Sequence, residues 1–186
     1  MEQAVKKKIL IALAAMGGAL LLGAALWYLM FIGQFRLFHD RTYGFDIKYP
    51  GSWEVVRAPK PGVAAAFVSP KENALDVFRE NVNITVEDVP AEIATLQDFS
   101  DKIILQMTKV FKNIKVRESR PFMFGERKGR RVVFTADKPD AITILNVWTI
   151  KGAGKSYILT YMAMSRKYQK YLGLVEVMVQ SFKLSP

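Results

Sequence analysis

From Ile9 to Gly33 the chain runs for 25 residues without a formal charge, directly behind the basic cluster Lys6-Lys7-Lys8. No other feature constrains the chain as much. At about 1.5 Å per residue, a helix of this length covers more than the roughly 30 Å hydrocarbon core of a bilayer. Trp27 and Tyr28 stand near the far end of the run, where interfacial aromatics belong, and the next charge is Arg36. Three lysines before the run against one arginine just after it favour a cytoplasmic N-terminus and an outer C-terminal part. The expected organisation is a cytoplasmic basic segment over 1–8, a transmembrane signal anchor over 9–33, a polar connector over 34–42 and a folded domain over 43–186. Two rival readings exist. A cleaved signal peptide ending at Gly23-Ala24-Ala25 would leave the apolar stretch Leu26 to Ile32 as an exposed new terminus. A buried helix of a soluble domain would ordinarily carry a polar stripe, which this run lacks.

The remaining length suits one ordinary domain. The absence of cysteine excludes disulfides, thiol nucleophiles, thiolate metal sites and a lipid-modified cysteine. A single histidine, His39, excludes a multi-histidine metal centre, and its place in the connector marks it as a solvated side chain. Gly152-Ala153-Gly154-Lys155-Ser156 looks like the end of a phosphate-binding loop, but Thr149 occupies the first glycine position and the apolar run from Tyr157 to Tyr161 follows in place of a helix. Asn83-Ile84-Thr85 matches a glycosylation sequon inside an expected strand. Neither Glu87-Asp88 nor Asp98 with Asp101 has calcium-loop spacing. No serine lies in a nucleophile elbow. The residues therefore point to a domain that is not an enzyme.

Periodicity predicts strands followed by a helix, then more strands and a second helix. Phe45, Ile47 and Tyr49 alternate with polar residues, and Val82, Ile84 and Val86 do so more clearly still. Thr95, with Asp98 three residues on, opens a helix whose stripe is Leu96, Phe99, Ile103, Met107 and Val110. Strands are expected over 114–119, 130–136, 141–150 and 156–164, the last two joined by a glycine-rich hairpin turn, and a final helix over 165–182. Hairpin connections imply an α+β fold with an antiparallel sheet and packed helices.

The net charge of +10 is concentrated. Residues 109–131 hold Lys109, Lys112, Lys115, Arg117, Arg120, Arg127, Lys128, Arg130 and Arg131 against Glu118 and Glu126. That excess of seven equals the excess of the whole outer domain. Lys115 and Arg117, two residues apart on an expected strand, share a face. Such focusing attracts an anionic partner: lipid headgroups, an acidic protein face or an envelope polyanion. Nucleic acid is not expected on the outer side of a membrane.

Several motifs in order resemble the PsbP-like family. Tyr43-Gly44-Phe45-Asp46-Ile47-Lys48-Tyr49-Pro50-Gly51-Ser52-Trp53 is similar to its opening strand, Phe67-Val68-Ser69-Pro70 to its second, and Asn81 to Val86 to its third. Thr95-Leu96 matches the start of its helix, Tyr157 to Tyr161 a late strand, and Ser181-Phe182 the close of its last helix. The resemblance implies an α/β/α sandwich around a central antiparallel sheet, a fold shared with a nuclear import factor that binds a small GTPase. In plants and cyanobacteria such proteins dock on the lumenal side of photosystem II and support its calcium and chloride requirement. Bacterial relatives are often membrane- or lipid-anchored. This chain lacks a transit peptide and a lipobox cysteine and carries an apolar helix instead. No local motif transfers a metal-binding residue, so no cofactor is expected, and calcium enters only through the resemblance. The expected function is a membrane-anchored accessory or assembly module whose contact surface is the basic stretch. One alternative is a photosystem II accessory protein. Another is an envelope hydrolase or ligand-binding protein with a pocket between sheet and helix.

Overall fold

The computed structural model describes residues 16–18, 20, 22–23, 34–76, 78–90, 93, 95–111, 113–136, 141–151 and 154–185. The chain divides into two units, residues 1–35 and 36–186. In the first, residues 16–18, 20 and 22–23 are helical, and Met16, Leu20 and Leu22 are exposed. The segment 1–8 and most of the expected span over 9–33 lie outside the described residues. Among the described residues no helix is long and apolar enough to cross a membrane.

The second unit is built on a seven-stranded antiparallel sheet. In chain order its strands are β3 (Glu54–Lys60), β4 (Val63–Val68), β5 (Asn81–Asp88), β6 (Ile114–Phe124), β7 (Arg127–Ala136), β8 (Ile142–Lys151) and β9 (Lys155–Met164). Across the sheet they run β3-β4-β5-β9-β8-β7-β6, so β3 and β6 are the edges. A second sheet has the order β1-β2-β10, from β1 (Phe35–Asp40), β2 (Phe45–Pro50) and the two-residue β10 (Lys183–Leu184). Helix α1 (Leu96–Val110) covers one face of the large sheet, and α2 (Tyr168–Ser181) packs on the other.

Strand alternation sends the two faces different side chains. Val132, Phe134, Ile144, Trp148 and Ile158 meet Phe99 and Ile103 of α1 in one buried cluster. Thr95 caps α1 with a reciprocal pair of bonds. The Asp98 N–H donates to the Thr95 hydroxyl (3.1 Å), and the Thr95 N–H donates to the Asp98 carboxylate (2.9 Å), the expected capping box. Val110, expected in the apolar stripe, is exposed because the helix ends there. On the opposite face the filling is aromatic. Phe124 and Phe182 stack at 4.0 Å, Phe45 lies 5.6 Å from Phe182, and Tyr161 stacks on Tyr168 at 5.3 Å. Each buried ring contributes about 2–3 kcal/mol of hydrophobic stabilisation.

The connector expected over 34–42 differs from what forms. Phe38 and Asp40 of β1 are buried, with the Phe38 ring edge-on to Phe67 at 5.3 Å and the Arg57 guanidinium 4.4 Å above it. An aromatic residue next to a folded core joins it, even between charged neighbours. His39 is exposed on this strand, where its ring is bonded to the Asp46 carboxylate. Strand β6 also continues to Phe124, past the expected end at Ser119. At its tip, Gly125 adopts φ +57°. A Cβ there would sit 1.8 Å from the Phe182 carbonyl oxygen, so only glycine lets the hairpin close on α2.

Candidate functional site

Register decides where the basic stretch goes. A bulge between Val116 and Glu118 places Arg117 as the extra residue on edge strand β6. Lys115 pairs with Thr135, and Arg117 Nε donates to the Thr135 hydroxyl at 2.9 Å, so the two cations do share a side. Beyond the bulge, Arg120 is paired with Arg131 while Pro121 is paired with Arg130. Adjacent residues of a strand point to opposite faces, so the stretch is divided. Arg120, Arg127 and Arg131 lie on the α2 side, Lys128 and Arg130 on the α1 side. Lys109 is exposed in the last turn of α1, and Lys112 lies outside the described residues.

Three of these cations are committed to the fold. Arg131 is buried, with its guanidinium bonded to the Glu176 carboxylate of α2 and 3.2 Å from Glu118. Burial works against its charge, but the bond to Glu176 and the two nearby carboxylates outweigh that and hold Arg131 above the ordinary arginine range. Arg120 Nε donates to the same Glu118 at 2.6 Å, and its guanidinium stacks 4.9 Å from the Phe122 ring. Arg127 donates to the Ile150 carbonyl at 3.1 Å.

Lys128 and Arg130 differ. Neither meets a carboxylate among the described residues. Arg130 Nη2 donates to the Ser119 hydroxyl at 3.1 Å, and its buried Nε has no acceptor among the described residues. Both line a groove of about 640 Å³ at the β6–β7 hairpin, together with Leu96, Arg120 to Met123, Gly125, Gly129 and Gln180. Four consecutive strand residues, Arg120 to Met123, touch it. The groove thus draws on edge strand β6, on its neighbour β7 and on one residue of each helix. Its lining holds three cations and no acid. Gly129 matters to its shape, since a Cβ at that position would come within 2.1 Å of the Trp148 carbonyl oxygen. The cations stand out in the sequence as a charge excess; their apolar companions Leu96, Pro121, Phe122 and Met123 do not. The signal was there in Pro121-Phe122-Met123-Phe124, an apolar run flanked by arginines.

A second polar cluster lies where the segment 70–80 meets α2. Lys167 Nζ donates to Asp76 at 2.9 Å and lies 3.5 Å from Glu72 and 3.8 Å from the fully buried Glu80. Lys170 and Tyr171 both donate to Glu72, at 2.7 and 2.9 Å. The bond from Lys170 holds Glu72 below the usual carboxylate range, and the bond from Lys167 does the same for Asp76. The three carboxylates thus close on an ammonium rather than on an open cation position. Among the described residues, no group of three or more His, Cys, Asp or Glu side chains could hold a metal ion. The calcium implied by the resemblance has no fitting donor set there.

No curated protein matches the chain. Solved structures do. The cyanobacterial PsbP (CyanoP) of Synechocystis sp. PCC 6803 is 13% identical, with a TM-score of 0.58 over 81% of this chain and 92% of its own. LpqN, involved in cell envelope biogenesis of Mycobacterium tuberculosis, is also 13% identical, with a TM-score of 0.59 over 82% of this chain and 91% of its own. The Ran-binding protein Mog1p of Saccharomyces cerevisiae is 7% identical, with a TM-score of 0.57 over 81% and 95%. At such identities these likenesses establish the fold alone. The PsbP family model, however, matches residues 33–184, nearly the whole of the second unit and the β1 strand that the connector reading had set apart. Motifs, sheet order and family match converge, and the chain belongs to the PsbP family.

Proposed function

We propose that the chain is a membrane-anchored binding module on the outer side of the membrane, without catalytic activity. It acts as an accessory or assembly factor for a membrane or envelope complex, through the β6–β7 hairpin. The observation that carries this reading is the groove, whose lining has three cations, no acid and an apolar floor on a sheet edge. A hydrolytic site would instead call for carboxylates converging on open space, and the described carboxylate cluster is closed by Lys167. The uncharged run from Ile9 to Gly33 behind three lysines supports the anchor and its orientation. Among the similar structures, one is described as Ran-binding and another as involved in envelope biogenesis, which favours a macromolecular partner.

The test is mild crosslinking of membranes carrying the full chain, followed by its capture. The expected result is one principal partner whose yield falls in high salt and in the variant with Lys128→Gln and Arg130→Gln together. An unchanged partner yield in that variant would remove the hairpin from the assignment. Protease added to spheroplasts should digest the domain; its protection would remove the outer location.

A further inference from the structure

We infer that the groove at the β6–β7 hairpin is a binding site for a single-chain lipid phosphate. This deepens the function proposed above by naming the ligand class its contact surface takes. Three observations converge.

The first is charge. Arg120 is neutralised by Glu118, which leaves Lys128 and Arg130 as the two uncompensated cations of the lining. A phosphate monoester carries about −1.5 to −2 at neutral pH, which matches them. A carboxylate would leave one cation unpaired. Arg130 meets only the Ser119 hydroxyl among the described residues, so its charge faces no anion.

The second is the floor. Leu96, Pro121 and Met123 offer apolar surface in the same lining as those cations, and Met123 is half exposed. A volume of about 640 Å³ lies within the roughly 300–1,000 Å³ of small-molecule sites. Free phosphate would leave this surface wet.

The third is what the edge refuses. A peptide could pair with a free strand edge, but β6 is protected against that. Its ladder is broken by the bulge at Arg117, and Pro121 has no N–H to donate in the middle of the groove. Recognition therefore falls to side chains, which suits an amphiphile better than an added strand.

The test uses the full chain in nanodiscs of neutral phosphatidylcholine, with a lysophosphatidic acid carrying a diazirine in its acyl chain. Labelling should map to the peptides holding Leu96, Phe122 and Met123. Unlabelled lysophosphatidic acid should compete at least tenfold better than lysophosphatidylcholine of the same chain or inorganic phosphate. Lys128→Gln and Arg130→Gln should each weaken labelling about tenfold, the loss of one charge-assisted hydrogen bond, with thermal melting unchanged for Lys128→Gln. Met123→Asp, which spoils the floor and leaves both cations, should weaken it as much. Labelling that maps elsewhere, or that the three variants leave intact, overturns the inference. Equal competition by lysophosphatidylcholine overturns it in favour of a nonspecific apolar groove. Competition by an acidic peptide as strong as that of the lipid phosphate overturns it in favour of a peptide site. Partner capture that persists without lipid labelling sinks this inference alone, whereas lipid labelling without any captured partner sinks the accessory function alone.

Discussion

The two faces of the large sheet are filled with different chemistry. On the α2 face the rings of Phe45, Phe124, Phe182, Tyr161 and Tyr168 fill the interior, and ion pairs enter beside them. Arg131 meets Glu176 and Glu118, and Lys167 meets Asp76. On the α1 face the apolar cluster is well buried but polar atoms are left over. The Asn146 amide, the Trp148 indole N–H and the Ser100 hydroxyl are buried with no hydrogen-bond partner among the described residues, and on the α2 side the Glu80 carboxylate and the Tyr168 hydroxyl are too. Leu105, Val110, Val116 and Met123 stay exposed on α1 and β6. An unmet buried polar group costs about 1–3 kcal/mol. The contrast teaches that one face is held by stacked rings and ion pairs and the other by an apolar cluster under α1, while the groove at the β6–β7 hairpin draws lining from both helices.

Substitutions can break or sharpen this contrast. The largest effect is expected from Gly125→Ala, which forces a Cβ against the Phe182 backbone at a positive φ. It should cost about 3 kcal/mol or more in chemical denaturation, and a loss below 1 kcal/mol would mean that the hairpin does not lean on α2. Arg131→Met leaves Glu118 and Glu176 facing each other without their shared cation and should cost about 2 kcal/mol. A gain in stability would show that ion pairing does not hold the α2 face. Asn146→Leu should move the other way, stabilising by about 1 kcal/mol, because it removes a buried amide that has no partner; destabilisation would mean the amide is hydrated in place.

A smaller effect concerns pH. Glu72 and Asp76 have lowered values in the folded state, so their contribution is complete above their ordinary values of 4.5 and 3.8 and is lost as pH falls through the lowered ones. Amide protection factors in the segment 70–80 should fall below about pH 4 while the α1 face keeps its protection. The smallest effect belongs to Lys128→Gln, which should shift stability by less than about 0.5 kcal/mol.

Much of this was legible in the sequence where local chemistry was self-contained. The Thr95–Asp98 capping box needs only its own turn, and Val82, Ile84 and Val86 announce β5 by alternation. Strand β1 was not legible, because its exposed Leu37 and buried Asp40 invert the usual pattern. The far half of β6 was hidden by the bulge at Arg117, which resets the alternation, and by Pro121, which reads as a strand stop. The basic stretch was visible as composition. Its division between faces was not, because only register tells the captive Arg131 from the uncommitted Arg130 next to it.

The small sheet has a mechanical corollary. Strand β1 opens the folded unit, β10 closes it, and both are laid on β2, with the Ser185 N–H also donating to the Gly44 carbonyl at 2.8 Å. A pull applied upstream of β1 is therefore delivered to a clasp made from the two extremities of the domain. The groove feels that load early, because Gly125 at the tip of its hairpin sits against Phe182, the residue before β10.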